Sequence, residues 1–205
     1  MYNIYNGTVI NLKFAAVILA GGKSRRMGKN KAWLPLGGRR VIDVIAERMT
    51  GFEEVFVSSD IPQEVSGCIN IEDIHKDCGP AAGILTALKT TSADAVFVTA
   101  CDMPLIKRNT IERLCGIFDG RKEAVVLKTD GGLEPLFAVY GKKTAALFEA
   151  AIAEGELSVR KIIDKMDAAA VAWEDISDDK TEFMNMNTPE DYAAVREAFY
   201  ETERK

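Results

Sequence analysis

Two uninterrupted apolar runs dominate the hydrophobic pattern of the chain, Phe14–Ala20 and Ala95–Ala100. Neither run alternates between apolar and polar residues, which is typical of strands that are buried on both faces of a parallel sheet. Shorter and weaker apolar segments predict six further strands. These are Glu54–Ser58, Cys68–Glu72, Ala124–Lys128, Leu136–Tyr140, Ala168–Trp173 and Phe183–Met186.

Apolar residues at helical spacing lie between the predicted strands. A last helix should begin near Thr188-Pro189-Glu190, because threonine caps helices and proline suits the first helical position. Strands that alternate with helices predict an α/β chain with a single-domain, three-layer α/β/α Rossmann-like fold and a mostly parallel sheet. We place this domain at residues 13–205, after an N-terminal extension of residues 1–12. The apolar stripes are Val41, Ile42, Ile45 and Met49; Ile84, Leu85 and Leu88; and Ile111, Leu114, Cys115 and Phe118.

The least patterned region is residues 128–134, which contain Asp130-Gly131-Gly132. It is either a hairpin turn or a mobile loop over a site. An aspartate followed by two glycines favours the turn.

The charge, the cysteine spacing and the length of the apolar runs argue against several classes of function. The 205 residues include 26 lysines and arginines and 31 aspartates and glutamates, a net charge of −5, whereas nucleic-acid binders usually present a basic surface. The four cysteines form no Cys-x-x-Cys pair and there is one histidine, so a structural zinc site is not expected. No apolar run approaches the roughly 20 residues of a membrane span. We therefore expect a cytoplasmic protein with no nucleic-acid or membrane partner.

The segment Leu19–Leu36 directly follows the first buried strand. Open α/β sheets bind ligands outside the carboxyl ends of their strands, so a site is expected here. Gly21 and Gly22 let the backbone approach a ligand closely and offer its N–H groups to anionic oxygens. A cluster of cations follows and suits a polyphosphate, with a solvated basic turn as the alternative. The cations are Lys23, Arg25, Arg26, Lys29 and Lys31.

This loop differs from two common phosphate-binding motifs. The Walker A motif needs Gly-x-x-x-x-Gly-Lys-Ser/Thr, but here the later glycine comes one residue too late and asparagine follows the lysine. The Gly-x-Gly-x-x-Gly fingerprint is also missing, which argues against an NAD-dependent oxidoreductase.

A second signal is Cys101-Asp102-Met103-Pro104, which follows the run Ala95–Ala100. An aspartate at the carboxyl end of a buried strand is well placed to hold Mg²⁺, which prefers one or two carboxylates with water and phosphate oxygens. The proline favours an extended backbone before it and keeps Asp102 out of a helix. A helix-capping or turn aspartate is the alternative.

The first loop and the aspartate motif together resemble those of the molybdenum cofactor guanylyltransferases, a family of nucleotidyltransferases whose loop has the pattern Leu-Ala-Gly-Gly-x-x-x-Arg-Met-Gly…Lys. The resemblance implies that Leu19, Ala20 and Gly21 contact the nucleotide through their backbone. It also implies that Lys31 neutralises the phosphates and that Asp102 holds the metal.

The segment Cys78–Gly83 resembles the family's Gly-Pro-Leu-Ala-Gly segment. By this resemblance Gly79 lies beside the base and ribose, and Asp73 upstream contacts the nucleotide, with Asp77 as the rival position. Glycine permits a close approach, and Pro80 suits the first turn of a helix. An ordinary helix start is the alternative.

Residues 185–191, Asn-Met-Asn-Thr-Pro-Glu-Asp, resemble the family's Asn-x-Asn-Thr-Pro-Glu-Asp ending. Alternation along the predicted strand puts Asn185 and Asn187 on one face, where their amides can hydrogen-bond the metal-phosphate or acceptor region. Capping and turn chemistry before the last helix is an equal alternative. Arg160 has a counterpart on the family's acceptor side and is either a partner of the acceptor phosphate or an ordinary surface arginine.

The resemblance implies transfer of GMP from GTP to molybdopterin with Mg²⁺ as cofactor and pyrophosphate as product. Such a transfer needs mainly positioning and charge stabilisation, for which the candidates are Lys31 with Arg25 or Arg26, together with Asp102. A phosphate nucleophile is already ionised and needs no general base. The resemblance also implies transient contacts with cofactor-delivery proteins or molybdoenzymes.

Two other functions stay open. A cytidylyltransferase that acts on molybdopterin or another phosphorylated acceptor would use the same chemistry. A non-catalytic nucleotide-binding protein would keep the fold but would be free to lose Lys31 and Asp102. GTP is preferred because the motifs look more like the guanylyl branch, and because glycines at 21, 22, 79 and 83 leave room for a purine. Ser58-Ser59-Asp60 is a candidate lining of the base site.

Overall fold

A computed structural model describes the chain over residues 3–5, 8–21, 30–59 and 64–202. Within these ranges the strands form one seven-stranded sheet and two small two-stranded sheets. The small sheets contain β1 (Asn3–Tyr5) with β2 (Thr8–Ile10) and β4 (Pro35–Leu36) with β5 (Arg39–Arg40). The main sheet contains β3 (Phe14–Leu19), β6 (Val55–Ser58), β7 (Ile69–Ile71), β8 (Ala95–Ala100), β9 (Ala124–Thr129), β10 (Gly132–Gly141) and β11 (Ala168–Ala172).

The main sheet has the order β11-β9-β10-β8-β3-β6-β7. β3 runs parallel to both of its neighbours, β8 and β6. β7 runs parallel to β6, and β11 runs parallel to β9. β10 is antiparallel to β8 and β9. Phe137 of β10 pairs with Thr99 of β8, so the residues before Phe137 extend past the carboxyl end of β8. The predicted mostly parallel sheet is confirmed.

Helices cover both faces of this sheet. The α-helices within the described ranges are α1 (Val41–Arg48), α2 (Pro80–Thr90), α3 (Arg108–Ile117), α4 (Ala145–Ala153), α5 (Val159–Ile163), α6 (Trp173–Ile176) and α7 (Pro189–Thr202), and 3-10 helices occur at Lys31–Trp33, Lys142–Thr144 and Lys180–Phe183. Buried side chains of α1, α3 and α7 form one apolar cluster with the sheet, and those of α2, α4 and α5 form a second. These two clusters confirm the predicted three layers. None of the described helices is long and apolar enough to cross a membrane.

The two strongest apolar runs form the centre of the sheet. Every residue of β3 and β8 is buried. Ala16 and Ile18 belong to one apolar cluster, whereas Ala15 and Val17 belong to the other. Burial on both faces is why these runs show no alternation. The loops that follow them therefore start from fully buried strands.

The predicted strand Phe183–Met186 is wrong. These residues leave the 3-10 helix Lys180–Phe183 and continue as an irregular segment. The carboxylate of Glu182, which is 2% exposed, holds this helix in place. It accepts hydrogen bonds from the backbone N–H that precedes α3 at 2.9 Å, from the Thr110 hydroxyl at 2.6 Å and from the Ser177 hydroxyl at 2.7 Å. These polar contacts fix a local turn that the hydrophobic pattern does not encode.

The connection between β9 and β10 is a hairpin turn, as favoured from the sequence. Asp130 and Gly131 form the turn, and Gly132 adopts φ +105°. The pairing of β10 with β9 is interrupted between Glu134 and Ala138. The tip of the hairpin lies at the end of the sheet where the parallel strands have their carboxyl ends.

Gly83 brings α2 into close contact with the sheet. A Cβ atom at this position would lie 2.7 Å from Leu19 Cδ2 and 2.7 Å from Ser58 Oγ. Gly83→Ala is expected to lower the free energy of unfolding by about 1–3 kcal/mol, because overpacking forces neighbours out of their rotamers. Denaturant unfolding measures the change. The control is Gly116→Ala at an exposed position of α3, which should raise that free energy by about 0.5–1 kcal/mol; a similar gain at Gly83 would contradict the close packing.

Candidate active site

The candidate site lies at the carboxyl ends of β3, β6 and β8, which end side by side. Leu19, the last residue of β3, pairs with the last residue of β8, two positions before Asp102. The N–H of Ala20 donates to the carbonyl oxygen of Ser58 at 2.8 Å, and Gly21 is exposed just beyond. This edge is where open α/β sheets bind ligands. Residues predicted from separate motifs are therefore brought to one place.

Asp102 is half-buried, and its Oδ1 atom is buried without a hydrogen-bond partner among the described residues. Burial raises the pKa of this carboxyl, while the positive charge of Lys31 acts in the opposite direction to lower it. A buried carboxylate oxygen that lacks a donor is costly unless a cation or ligand approaches it. Asp102 therefore fits a hard divalent cation, for which carboxylate oxygen is a preferred ligand.

Asn30 ties the helix that carries Lys31 to the end of β3. Its side-chain oxygen caps the 3-10 helix Lys31–Trp33 by accepting from the N–H of Ala32 at 3.0 Å. Its amide nitrogen donates to the carbonyl oxygen of Ala20 at 3.3 Å. The start of this helix is thus held against the strand end, and the position of Lys31 follows from that attachment.

Lys31, Asp102 and Asn187 form one polar cluster. The Lys31 Nζ donates a hydrogen bond to Asn187 Oδ1 at 2.7 Å, and its charge lowers the pKa of Asp102. The N–H of Met186 donates to the carbonyl oxygen of Asp102 at 2.8 Å, which joins the segment before α7 to the loop after β8. A cation, a carboxylate and an amide are therefore placed together at the strand ends.

The segment before α7 makes helix-capping contacts and one contact with Lys31. The Asp191 carboxylate accepts from the N–H groups of Asn187 at 3.0 Å and Thr188 at 2.9 Å, and the Thr188 hydroxyl accepts from the N–H of Asp191 at 3.1 Å. These N–H groups lower the pKa of Asp191. Capping is thus carried by Thr188 and Asp191, while the Asn187 amide contacts Lys31. The prediction that Asn185 shares a strand face with Asn187 is wrong, because the segment is not a strand; Asn185 lines a separate cavity.

Asp73 is held against the end of β6. Its Oδ1 accepts from the Ser58 hydroxyl at 2.7 Å. The N–H of the next residue, Ile74, donates to the Thr86 hydroxyl of α2 at 3.0 Å. The rival residue, Asp77, is exposed and adopts φ +61°. Of the two candidates, Asp73 is the one that contacts the strand ends.

Gly79 and Gly83 differ in their surroundings. Gly79 is exposed, precedes α2 with φ +61°, and a Cβ atom there would meet nothing within 4 Å. Gly83 is packed against Leu19 and Ser58. The expectation that Gly83 leaves room for a purine is therefore wrong, because the space it leaves is filled by the protein itself. The start of α2 at Pro80 is as predicted.

Several residues named from the sequence lie outside the described residues, most of them in the first loop. This applies to the predicted nucleotide contact Gly22, to the predicted catalytic residue Arg25, and to Asp60 in the candidate base site. It applies equally to Lys23, Arg26 and Lys29.

Arg160 of α5 contacts the β9–β10 hairpin by donating to the carbonyl oxygen of Leu133 at 2.6 Å. The adjacent Glu134 accepts from the Thr129 hydroxyl at 3.0 Å. Burial raises the pKa of Glu134, as does the nearby charge of Asp102, while the Thr129 hydrogen bond and the charge of Arg160 lower it. Glu134 belongs to β10, which lies on the other side of β8 from β3 and β6, so Glu134 and its neighbour Arg160 lie on that side of Asp102.

Comparison with known proteins agrees with this fold. A family model described as the MobA-like NTP transferase domain matches residues 16–170. A probable molybdenum cofactor guanylyltransferase from Bacillus subtilis is 33% identical over 192 residues, which cover 91% of this chain and 96% of that protein. The structure of molybdopterin-guanine dinucleotide biosynthesis protein A from Archaeoglobus fulgidus is similar with a TM-score of 0.80 at 25% identity, covering 91% of this chain and 99% of that one. A nucleotidyl transferase from Methanothermobacter thermautotroptrophicus shares the fold, with a TM-score of 0.73 at 18% identity and coverage of 93% and 99%.

Proposed function

The chain belongs to the MobA-like NTP transferase family, and we propose that it transfers GMP from GTP to molybdopterin with release of pyrophosphate. The observation that carries this proposal is the cluster of Lys31, Asp102 and Asn187 at the carboxyl edge of the sheet. A preorganised cation beside a carboxylate that lacks donors suits a site for phosphates and a metal ion. The domain proposed at residues 13–205 contains this whole cluster.

A divalent metal ion belongs to the chemistry of this family, and we propose that it is Mg²⁺ held by Asp102. When bound, such an ion offsets the negative charge of the reacting phosphates. Mg²⁺ usually takes only one or two carboxylates and completes its shell with water and substrate phosphates. Asp102, whose Oδ1 lacks a hydrogen-bond partner among the described residues, would supply one such carboxylate.

The nucleotide, in this proposal, occupies the side of the site built by β3 and β6. The Ser58 hydroxyl fixes the Asp73 carboxylate there, and the open backbone at Gly79 permits a close approach. The proposed contacts are the backbone of Leu19, Ala20, Gly21 and Gly22 together with Asp73 and Gly79.

The transfer itself is an in-line attack of the acceptor phosphate on the α-phosphorus of GTP. Lys31, aided by Arg25, offsets the charge that builds up on the phosphates. The attacking phosphate is already ionised near neutral pH, so no side chain has to remove a proton. Arg160 and Asn185, on the other side of Asp102, are the proposed acceptor-side residues. Pyrophosphate release with GTP and molybdopterin tests the complete reaction.

Calorimetry with GTP, CTP and ATP at equal Mg²⁺ tests the choice of nucleotide. We expect GTP to bind at least about tenfold more tightly than CTP or ATP, because a pocket that hydrogen-bonds one base leaves buried polar groups unpaired with another. Asp73→Asn should weaken GTP binding, and the control Asp77→Asn should not. Tighter binding of CTP would indicate a cytidylyltransferase. Failure of the folded protein to bind any of the three would remove nucleotidyl transfer altogether.

We further propose that the enzyme acts in the cytoplasm, where GTP is available, and that it contacts cofactor-delivery proteins or molybdoenzymes transiently. The choice of these partners follows from the similarity to proteins described as guanylyltransferases of the molybdenum cofactor.

A further inference from the structure

A cavity of about 450 Å³ lies between the tip of the β9–β10 hairpin and the segment from α6 to Asn185. Three of its lining residues are apolar and most of the others are polar or charged. An aromatic wall beside several polar groups can hold a flat organic molecule and orient it through hydrogen bonds. The apolar residues are Trp173, Phe183 and Met184, and the polar ones include Thr129, Glu134 and Asn185.

The apolar wall of the cavity is aromatic and well supported. The rings of Trp173 and Phe183 have centroids 6.2 Å apart and are tilted by 58°. Phe183 also packs edge-on against the buried Phe137 at 5.9 Å. Rings fixed by the core in this way present a preformed surface, on which another flat ring can pack with little loss of conformational freedom.

Trp173 carries a polar group that the described part of the protein does not satisfy. Its indole Nε1–H is buried and has no hydrogen-bond partner there. The indole nitrogen can only donate, and a buried donor without an acceptor is costly. A ligand that brings an acceptor atom to this N–H would remove that cost. The Glu134 carboxylate, on the hairpin side of the cavity, can accept a hydrogen bond from the same ligand.

An ion pair connects the hairpin tip to the segment from α6 to Asn185, on the two sides of the cavity. Lys180 pairs with Asp130 of the hairpin turn, and its Nζ lies 5.9 Å from the centre of the Trp173 ring. Both charged side chains are exposed, so this contact contributes little stability. A ligand that separates these two side chains would therefore lose little interaction energy.

The position of the cavity in the sheet separates it from the proposed nucleotide side. Asp102 follows β8; β3 and β6 lie on one side of β8, and β10 with β9 lies on the other. Leu19 and Asp73 are on the first side, while Glu134 and the cavity are on the second. An in-line transfer needs its donor and acceptor on opposite sides of the reacting phosphorus. The cavity is therefore placed for the acceptor.

We propose that this cavity binds the flat, fused-ring heteroaromatic part of the phosphorylated acceptor, and that Trp173 is a specificity-determining residue for it. The ring packs against Trp173 and Phe183, accepts a hydrogen bond from the Trp173 N–H and donates one to Glu134. The acceptor phosphate then extends toward Asp102. This assignment rests on the proposed function, because it presupposes an acceptor that carries both a ring and a phosphate.

The test compares Michaelis constants for the two substrates in the pyrophosphate-release assay. Trp173→Ala should raise the KM for molybdopterin at least about tenfold, because loss of one ring-stacking contact weakens binding by about one to two orders of magnitude. The KM for GTP should not change. Trp173→Phe keeps a ring but lacks the N–H, so its KM for molybdopterin should lie between those of Trp173→Ala and the wild type. The control is Tyr200→Ala, which removes an exposed aromatic residue of α7 and should leave both constants unchanged.

The outcomes separate this assignment from the proposed function. A wild-type KM for molybdopterin in both Trp173 variants, or a rise in the GTP constant instead, would overturn the cavity assignment and leave guanylyl transfer standing. If the wild type releases no pyrophosphate with molybdopterin, the proposed function fails. The cavity is then judged by calorimetry with free pterin: binding that Trp173→Phe weakens would support the cavity, whereas a wild type that does not bind pterin would overturn it.

Discussion

Asp102→Asn is expected to lower metal-dependent turnover by at least about a thousandfold, because a metal ion contributes several kcal/mol to the stabilisation of phosphate charge. The amide keeps the size of the side chain and one oxygen atom, but it loses the negative charge that a hard cation needs. Turnover measured across a Mg²⁺ titration should therefore show no metal-dependent rise in the variant.

The stability of this variant is expected to move in the opposite direction from its activity. Burial raises the pKa of Asp102 in the folded protein, so the folded state binds this proton more tightly than the unfolded chain does. The charged carboxylate therefore costs stability, and this cost appears as the pH rises from the unfolded pKa through the folded one. Urea unfolding at pH 7 should show Asp102→Asn to be at least as stable as the wild type. The difference should shrink as the pH falls to about 4, near the unfolded pKa.

The control for this prediction is Asp178→Asn, which changes an exposed carboxylate. It should keep both the Mg²⁺ dependence and the turnover of the wild type. If Asp102→Asn shows an unchanged Mg²⁺ dependence, the metal ligand lies elsewhere, and Asp73 becomes the first candidate.

The centre of the sheet could be predicted from the sequence because burial on both faces excludes polar residues from β3 and β8. The segment Phe183–Met186 is also partly apolar, but its two end residues pack into an apolar cluster without pairing as a strand. Hydrophobicity indicates burial and does not indicate which element provides it. The deciding group is the Glu182 carboxylate, whose partners at Thr110 and Ser177 are known only from the fold.

The site likewise has a part that the sequence pattern indicates and a part that depends on contacts known only from the fold. Lys31 and Asp102 follow strands whose ends must meet at one edge, so their proximity could be predicted. A glycine in a loop or helix start, by contrast, can make room for a ligand or for the protein, and only the contacts of Gly83 with Leu19 decide between these. Trp173 was not predicted, because its cavity exists only where the hairpin tip meets the 3-10 helix before α7.

The second large effect is expected at Lys31, whose Nζ is held by the Asn187 amide at 2.7 Å. Lys31→Ala should lower turnover at least about a hundredfold, as for the loss of one preorganised charge-stabilising donor. The side chain is not part of the core, so thermal unfolding should be nearly unchanged. Lys31→Arg keeps the charge and should retain more of the rate than Lys31→Ala.

The pH dependence of Lys31→Ala tests whether the amine acts at Asp102 as well as on the phosphates. Lys31 lowers the pKa of Asp102, so without it the carboxylate should stay protonated up to a higher pH. The acid limb of the pH–rate profile should therefore move to higher pH in Lys31→Ala and move back in Lys31→Arg. The matched control, Lys89→Ala, removes a surface lysine that pairs with Glu149 and should leave both the rate and the profile unchanged. A Lys31→Ala enzyme that kept more than half of the wild-type turnover, with its acid limb in place, would show that the amine does not act on the reacting phosphates.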